Sequence, residues 1–412
     1  MIWLWIGFIA FVLFLLALDL GVFHRHAHEV KMKEALGWSA VWITLGLSFS
    51  VFVYFAYERH WFGIGLAPPG GIVDQMAVTE ANPTGQLDGH TAVVKYLTGY
   101  VIEKSLSVDN IFVIAMIFGF MAVPSIYQHR VLFWGILGAL LMRGVMIGVG
   151  AALIARFSWI LYLFAAFLIF TGIRMLFSHS EEQDPTNNAI VRFTRRLFPV
   201  TSFFHGQHFF VRAGSAASHE AEVPAGTPDV SHPKDIAAVP ATATDAPAPA
   251  AAPVVPYASQ KTGSPEHDPA VEQVAPGTLM ITPLFLALVL VEFTDLIFAV
   301  DSIPAIFAIT TDPFLVFTSN VFAILGLRSL YFALAGMMNS FKYLKVALAA
   351  VLLLVGVKML THHYLKAWLG EYFNFYVLGV VLLILTTGVV ASMISNRRNR
   401  PTESPGSHPA AV

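Results

Sequence analysis

The sequence predicts an all-α polytopic membrane protein with about nine transmembrane helices, in which two groups of three helices form inverted repeats. The 412 residues are 56% hydrophobic and only 12% charged, and the mean hydropathy is +0.68. That composition is typical of membrane proteins rather than soluble ones. Apolar runs of about 20 residues recur along the chain, and two of them carry acidic motifs that resemble one another.

Nine apolar runs are long enough for a helix to cross a bilayer, which takes about 20 residues. They lie near residues 2–21, 38–57, 91–121, 131–152, 157–177, 279–310, 314–337, 343–362 and 375–395. The first run lacks the basic start and the small-residue cleavage site of a signal peptide, so we expect a retained helix. The third and sixth runs are about ten residues longer than a straight crossing requires, which predicts tilt, extension or a break into two halves.

Pro304 gives the sixth run a local reason to break. Proline has no N–H, and its ring clashes with the carbonyl of the residue four positions earlier, here Val300. We therefore expect a helix break at Pro304, which would free backbone carbonyls beside Asp301. The third run has Phe112 at the matching position and lacks this reason to break.

Basic residues predict the orientation of the chain. An orientation with the N-terminus outside and the C-terminus in the cytoplasm leaves only Arg59, Arg156 and Lys366 in outer segments, as the positive-inside rule requires. The predicted regions are two N-terminal helices with an external loop (1–90), a first three-helix repeat (91–177), a cytoplasmic linker (178–278), a second repeat (279–365), a last helix (366–396) and a cytoplasmic tail (397–412). Within the linker, the Ala/Pro-rich stretch 214–276 is predicted to be disordered. The aromatic stretch Thr201–Arg212 is expected to lie on the membrane or on the helices.

Two acidic motifs are the most informative feature of the sequence. Glu103 and Asp109 in the third run, like Asp295 and Asp301 in the sixth, stand six residues apart, and Glu292 adds a fifth acid. A charged side chain near the bilayer centre costs about 2.5–3.5 kcal/mol. The five acids therefore predict a polar interior and a path for cations.

The similarity of the two motifs extends into the runs that follow them. Leu140-Leu-Met-Arg143 resembles Leu325-Gly-Leu-Arg328, and Thr171-Gly-Ile-Arg-Met-Leu176 resembles Val355-Gly-Val-Lys-Met-Leu360. Segments 3–5 and 6–8 are thus predicted to be two three-helix repeats. Because three is odd and a hydrophilic linker joins them, the second repeat enters the membrane inverted, as in many secondary transporters.

The spacing of the acids leaves two arrangements open. Residues six apart on an unbroken helix point about 240° apart, so the five acids share one site only if the helices are broken. Otherwise they form two stations along a path. The predicted central pair is Asp109 with Asp301, joined by the side-chain oxygens of Asn110 and Ser302. Glu103, Asp295 and Glu292 are expected to be further ligands or proton carriers.

The balance of charge predicts the kind of ion. Three deep bases, Lys104, Arg143 and Arg328, oppose the five acids and are interpreted as counter-ions that hold the empty site. The remaining two negative charges match a divalent cation, and oxygen ligands favour hard ions such as Mg²⁺, Ca²⁺ or Mn²⁺. Asp19, near the inner end of the first run, is either solvated or part of an inner gate.

Other classes of protein fit the sequence less well. The chain has no cysteine, which excludes disulfides and thiol catalysis. Two intramembrane aspartates also occur in aspartyl proteases, but no Gly-x-Gly-Asp precedes either one here, and we expect neither an enzyme nor a bound cofactor. Partners are expected to be a divalent ion and membrane lipid, without nucleic acid, and the oligomeric state is open. A membrane partner or scaffold without transport stays an alternative.

Several stretches resemble the TerC/Alx family of bacterial inner-membrane proteins, in the LysE-like transporter superfamily. They are ALDLGVFHRHAHE (17–29), EALGWSAVW (34–42), EKSLSVDNIFVI (103–114), TPLFLALVLVEFTDLIFAVDSIPAIFAIT (282–310) and DPFLVFTSNVFAILGLRSLYFALAG (312–336). The chain departs from the family pattern in the long Ala/Pro-rich insertion between Val211 and Leu279. The resemblance implies export of Mn²⁺ from the cytoplasm, with the five acids as its path. The family name comes from tellurium resistance, so the alternative is a stress-response partner.

Overall fold

A computed structural model describes residues 2–21, 32–67, 72–78, 82–177, 193–194, 196, 198–202, 204–213, 275, 277–334, 343–369 and 373–398. The helices, in chain order, are α1 (Ile2–Gly21), α2 (Met32–Glu58), α3 (Gly89–Phe120), α4 (Ser125–Arg156), α5 (Ile160–Phe177), α6 (Pro283–Phe307), α7 (Pro313–Ile324), α8 (Leu327–Leu334), α9 (Leu344–Leu369) and α10 (Phe373–Arg398). Two short strands, β1 (Phe210–Arg212) and β2 (Leu279–Ile281), lie between α5 and α6. Each predicted apolar run overlaps a helix, although the sixth begins in β2, and the described part of the seventh falls on the pair α7–α8.

The helices carry the pattern of a membrane protein, with apolar side chains on their outer faces. Leu141 on α4 is 72% exposed and Leu383 on α10 is 66% exposed. Such exposure of leucine side chains is unfavourable in water but not in lipid. Among the described residues, seven helices are long and apolar enough to cross a membrane, and the pair α7–α8 makes an eighth if it counts as one span. These findings confirm an all-α polytopic membrane protein. The inverted repeats and the division into regions stay predictions.

The third predicted span is a helix but is less apolar than the others. α3 is 32 residues long and continuous, and it is not one of the seven candidate spans found in the described part of the chain. Glu103, Lys104 and Asp109 interrupt its apolar face. The predicted total of nine spans therefore falls to seven or eight by length and composition.

The sixth predicted span is shorter than expected and is not broken at Pro304. The residues before Pro283 form β2, and α6 then runs through Pro304 to Phe307. Proline removes one hydrogen bond, but the helix makes another immediately afterwards, from Ala308 N to Pro304 O at 3.0 Å. The expected break at Pro304 is therefore wrong, because one lost bond near the end of a packed helix does not stop it.

The break lies instead in the seventh span. α7 and α8 bend by 40° at Leu325–Gly326, where Gly326 has a φ of +82°. A Cβ at this position would lie 2.5 Å from the Cβ of Trp42 on α2, so both the backbone conformation and the space require glycine.

The chain divides into two compact units, of which the first contains residues 1–115, 132–182 and 292–412. Its core packs α5 against α9 at two glycines. A Cβ on Gly172 would meet Leu353, and a Cβ on Gly356 would meet Ile169, so small residues let the two helices approach closely. These glycines are equivalent positions of the predicted repeats, and both lie at the α5–α9 crossing.

The second unit contains residues 116–131 and 183–291. Its strands β1 and β2 pair antiparallel, with Val211 opposite Met280. Phe210 packs on Phe285 with ring centroids 4.7 Å apart, and the Arg130 guanidinium lies over the ring of Phe209. The aromatic stretch predicted to lie on the membrane or on the helices thus joins a small sheet. Residues 214–274, most of the stretch predicted to be disordered, lie outside the described residues.

Candidate functional site

A buried ion-pair network joins the two acidic motifs inside the first unit. Arg143 on α4 binds Asp295 on α6 through two hydrogen bonds, Nε to Oδ2 at 3.1 Å and Nη2 to Oδ1 at 2.8 Å. Its Nη1 also donates to Glu103 on α3. Glu103, Arg143 and Asp295 are 1%, 3% and 6% exposed. We call these three residues the acid centre.

The polar neighbours of the acid centre come from the same helices and from α7. Asn110 Nδ2 donates to Asp295 Oδ1 at 2.9 Å. Longer contacts of 3.4 Å join Arg143 Nη1 to Ser302 Oγ and to Asn320 Oδ1. The network therefore draws on four helices, which fixes the position of the guanidinium.

Several buried oxygens beside the acid centre lack a hydrogen-bond donor. Glu103 Oε2, Ser107 Oγ and Asn110 Oδ1 have no hydrogen-bond partner among the described residues, and neither does the amide nitrogen of Asn320. Residues 103, 107 and 110 are four and three positions apart, so they share one face of α3. Buried polar atoms are nearly always satisfied, and each exception needs an explanation such as an ion or a water. This face therefore offers three oxygens to a ligand that carries positive charge or donates hydrogen bonds.

Glu292 lies close to this network. It precedes Asp295 by three residues on α6 and is half-buried. A Cβ built on Gly138 of α4 would overlap the carboxylate of Glu292, so the missing side chain at this glycine makes room for the acid. The position of Glu292 thus depends on a glycine that no motif in the sequence marks.

The predicted central pair differs from the one that the structure brings together. Asp301 accepts a hydrogen bond from Thr171 Oγ1 on α5 at 3.2 Å, away from the Arg143 network. Asp109 is half-buried and lies six residues after Glu103 on an unbroken helix, which turns it to another face of α3. The structure instead joins Glu103 to Asp295 through Arg143. Asn110 and Ser302 do lie at this network, next to Asp295 and Arg143.

Two of the three predicted counter-ions have other partners. Lys104 Nζ donates to the carbonyls of Ala323 at 3.0 Å and Leu325 at 3.4 Å, at the break between α7 and α8. Arg328 binds Asp19 of α1, Nη2 to Oδ1 at 2.8 Å, and both side chains are buried. Arg143 binds both Glu103 and Asp295, whereas Lys104 binds carbonyls at the end of α7. That these three bases act as counter-ions of the empty site stays a prediction.

The acids do not gather into one cluster. In the described part of the chain, no group of three or more His, Asp or Glu side chains lies close enough together to hold one metal ion. Of the two arrangements left open by the sequence, unbroken α3 and α6 favour separate stations, with Glu103 and Asp295 at one of them.

A second buried polar cluster, absent from the sequence predictions, lies between spans. Asp74 is fully buried and accepts five hydrogen bonds, from Met76 N, Thr311 N, Thr311 Oγ1, Lys95 Nζ and Thr310 Oγ1. Burial raises its pKa, but the charge of Lys95 and these hydrogen bonds lower it further, so the net pKa lies below the usual value. With every acceptor satisfied, Asp74 ties segment 72–78 to α3 and to the turn before α7.

Asp312 begins α7 beside this cluster. Its Oδ1 accepts hydrogen bonds from Phe314 N at 2.9 Å and Leu315 N at 3.2 Å, which caps the helix at its first turn. Burial raises the pKa of Asp312 to about 6, and the nearby charge of Asp74 adds to the rise.

Some functional candidates could have been found from the sequence and others could not. Ser107 follows Glu103 by four residues, and Asn320 is an amide inside an apolar run, so both carry a signal that helical spacing could have used. Gly138 carries none, because its role depends on a contact between two distant helices.

The fold and the network define a polytopic membrane protein with a buried acidic centre. The chain belongs to the Integral membrane protein TerC family, whose model matches residues 88–400. It is 41% identical over 394 residues to an uncharacterized membrane protein of Myxococcus xanthus, covering 96% of this chain and 93% of that protein. It is 38% identical over 358 residues to Alx of Escherichia coli K12, covering 87% and 85%, and 35% identical over 402 residues to Alx of Salmonella typhi, covering 96% of each. The names of both describe a candidate membrane-bound redox modulator. No solved structure matches the chain.

Proposed function

We propose that the chain is a secondary active transporter that exports a hard divalent cation, with Mn²⁺ as the first candidate, from the cytoplasm across a bacterial inner membrane. The observation that carries the proposal is the buried face of α3 with Glu103 Oε2, Ser107 Oγ and Asn110 Oδ1, which lack donors among the described residues. A carboxylate, a hydroxyl and an amide oxygen are the ligands that hard divalent cations prefer.

When no ion is bound, the guanidinium of Arg143 occupies the site. With its guanidinium in place, Glu103 and Asp295 carry one uncompensated negative charge. When Arg143 withdraws, they carry two, which balances a divalent cation. We propose that the arriving ion displaces Arg143 and takes over the oxygens of Glu103 and Asp295. Binding the ion and releasing the arginine are thereby coupled.

Coupling to protons follows from the same carboxylates. A buried carboxylate without a cation beside it is stabilised by taking up a proton. We propose that Glu292, held by the space at Gly138, and Asp301 accept protons from the outer side as the ion leaves. Export would then run in exchange for protons, with the helices of one predicted repeat rocking against the other.

The resemblance to the TerC/Alx family supports Mn²⁺ over Mg²⁺ or Ca²⁺, since oxygen ligands alone select no single hard ion. A role in redox balance, as the names of the Alx relatives suggest, is compatible with export, because altered metal content changes redox chemistry without a thiol in the transporter. The second candidate, a partner or scaffold without transport, also fits those names.

Transport assays with matched variants test the proposal. Inverted membrane vesicles that contain the wild type are expected to accumulate Mn²⁺ when a proton gradient is imposed, whereas Asp295→Asn and Glu103→Gln vesicles stay near the background. Asp88→Asn is the control, because Asp88 is exposed and, among the described residues, its side chain accepts one hydrogen bond, from Thr91 N. Protein amounts are matched by quantitative immunoblotting.

Each outcome has a separate meaning. Loading by the wild type that ignores the pH gradient would exclude proton exchange but keep cation export. Equal loading by the wild type and both acid variants, above vesicles that lack the protein, would remove the acid centre from the path. No loading above that background would favour the partner or scaffold.

A further inference from the structure

A cleft beside α1 contains a second buried pair of an acid and an arginine. Asp19, Trp38, Trp42, Ile136, Arg328 and Phe332 contribute to its walls, and the space between them is about 430 Å³, including the part that is open to the outside. Inside it, Arg328 Nη2 binds Asp19 Oδ1 at 2.8 Å. This pair lies apart from the acid centre that carries the proposed function.

The chemistry of this pair repeats that of the acid centre. Arg143 and Arg328 occupy matching places in the two predicted repeats, and each neutralises a buried carboxylate. A buried ion pair is weak evidence for stability, because desolvation offsets most of the attraction. The cleft is partly open to the outside, however, so the Arg328 guanidinium occupies a place beside Asp19 that another cation could take.

Further oxygens lie close to the pair. Ser329 follows Arg328 directly, and its hydroxyl accepts from Ser39 Oγ at 3.2 Å and donates to the Gly326 carbonyl at 2.9 Å. The break at Leu325–Gly326 leaves carbonyls that α7 cannot satisfy, and Lys104 binds two of them. Ser329 and Gly326 line the cleft together with Asp19, so an ion there would meet a carboxylate, a hydroxyl and the backbone at the helix break.

The bent pair of helices connects the cleft to the acid centre. Asn320 on α7 contacts Arg143, and Arg328 on α8 contacts Asp19, with the break between them. Lys104, which binds the break, is the neighbour of Glu103 on α3. A movement of Arg143 is thus transmitted to Arg328 through α7, the bend at Gly326 and α8.

We propose that Asp19 is a second binding station for the divalent cation, at the end of the path that faces the cytoplasm in the predicted orientation, and that the arriving ion displaces Arg328 from it. This inference rests on the proposed function. The ion would bind first at Asp19 and pass to Glu103 and Asp295 as α8 moves about Gly326.

Opposite shifts in the apparent affinity for Mn²⁺ test the inference. In inverted vesicles, where the cytoplasmic side faces the medium, Asp19→Asn is expected to raise the KM for Mn²⁺ about tenfold, since ligand charge sets affinity for hard ions. Arg328→Gln is expected to lower the KM several-fold, because it removes the internal competitor. Arg328→Lys keeps the charge but loses the forked geometry, so a smaller decrease is expected and the variant tests the idea even if Arg328→Gln fails to fold. Asp88→Asn is the matched control and should leave the KM unchanged.

A structural role for the pair predicts a different pattern. Both Asp19→Asn and Arg328→Lys would then reduce the amount of folded protein or the maximal rate and leave the KM for Mn²⁺ unchanged. That result would overturn the inference. Failure of the proposed function is distinguishable, because the wild type itself would then load no Mn²⁺. If the wild type loads and Asp295→Asn does not, unchanged KM values at Asp19 and Arg328 refute this inference alone.

Discussion

Arg143 and Asp295 lie face to face, with the guanidinium Nε and Nη2 bound to the two carboxylate oxygens at 3.1 and 2.8 Å. This bidentate geometry is the strongest form of ion pair that side chains make. It places a cation of the protein itself in a buried position inside the first unit. The same guanidinium reaches Glu103, so its removal would leave two buried carboxylates without compensation.

Arg143→Gln is the most direct test of that compensation. Removing one partner of a buried pair costs about 3–5 kcal/mol, so we expect a clear decrease in the thermal unfolding temperature of the detergent-solubilised protein. Added Mn²⁺ should raise the unfolding temperature of this variant more than that of the wild type, because the ion no longer competes with Arg143.

Arg156→Gln provides the control on the same helix. Arg156 is exposed in the last turn of α4, and its replacement should change the free energy of unfolding by no more than about 0.5 kcal/mol. If both variants unfold like the wild type, the Arg143 network contributes nothing to the folded state.

Gly138→Ala tests the position of Glu292. The new Cβ would overlap the Glu292 carboxylate, which must then rotate away. We expect slower Mn²⁺ loading of inverted vesicles with little loss of folded protein, because the displaced carboxylate lies at the end of a flexible side chain. Gly148→Ala on the same helix is the control, because a Cβ there meets no atom of the described residues within 4 Å. Equal loading rates for the two variants would show that the position of Glu292 does not matter.

The sequence predicted the helices well because apolar runs of span length have few other uses. It also selected Glu103, Asn110, Asp295 and Arg143, since charge and amide groups inside apolar runs are costly unless they meet one another. The central pair that it selected, Asp109 with Asp301, stays a prediction, and the structure instead joins Glu103 to Asp295 through Arg143. Asp109 and Asp301 match in sequence, yet Asp301 contacts Thr171 instead of the network.

The helix break shows why local rules were insufficient. Pro304 is the residue that local chemistry disfavours, but packing carries α6 through it to Phe307. Gly326 causes no local problem in the sequence, yet the chain bends there because Trp42 of α2 occupies the space that a side chain would need. The contact with Trp42 joins two distant helices and cannot be read from the local sequence, whereas at Pro304 one lost hydrogen bond near the helix end did not stop α6.

Gly326→Ala is expected to destabilise the protein. Alanine at a φ of +82° costs about 1–2 kcal/mol, and its Cβ would lie 2.5 Å from the Trp42 Cβ. We therefore expect the unfolding temperature of the solubilised protein to decrease by more than the conformational strain alone would cause.

Gly379→Ala should have the opposite effect. In the described part of the chain, a Cβ on Gly379 in α10 meets nothing within 4 Å, and alanine is favoured over glycine inside a helix by up to about 1 kcal/mol. The requirement for glycine at position 326 is contradicted if the two alanine variants unfold at the same temperature.

The pH dependence of stability should report Asp312. Its pKa of about 6 lies above the unfolded value, so this group contributes stability that is complete below about pH 4 and is lost as the pH rises through 6. Asparagine still caps the helix but cannot ionise. Between pH 4 and 7 the wild type should therefore lose roughly 2 kcal/mol of folding stability that the Asp312→Asn variant does not lose. Unfolding temperatures of both proteins across this range measure the difference.

Asp74 titrates in a different window and does not obscure this result. Because its pKa is lowered, its contribution is lost only as the pH falls below the usual aspartate value of about 4. Parallel curves for the wild type and Asp312→Asn between pH 4 and 7 would show that Asp312 does not titrate there.

Binding of Mn²⁺ to the purified protein tests the central claim, that Glu103 and Asp295 form a cation site, most directly. Free Mn²⁺ gives a six-line electron paramagnetic resonance signal that weakens when the ion is bound. Protein in lipid nanodiscs is titrated with Mn²⁺ for the wild type, Glu103→Gln, Asp295→Asn and the control Asp88→Asn. We expect the wild type and the control to reduce the free signal equally and both acid variants to reduce it far less. Equal reduction by all four proteins, or by none of them, would contradict the claim.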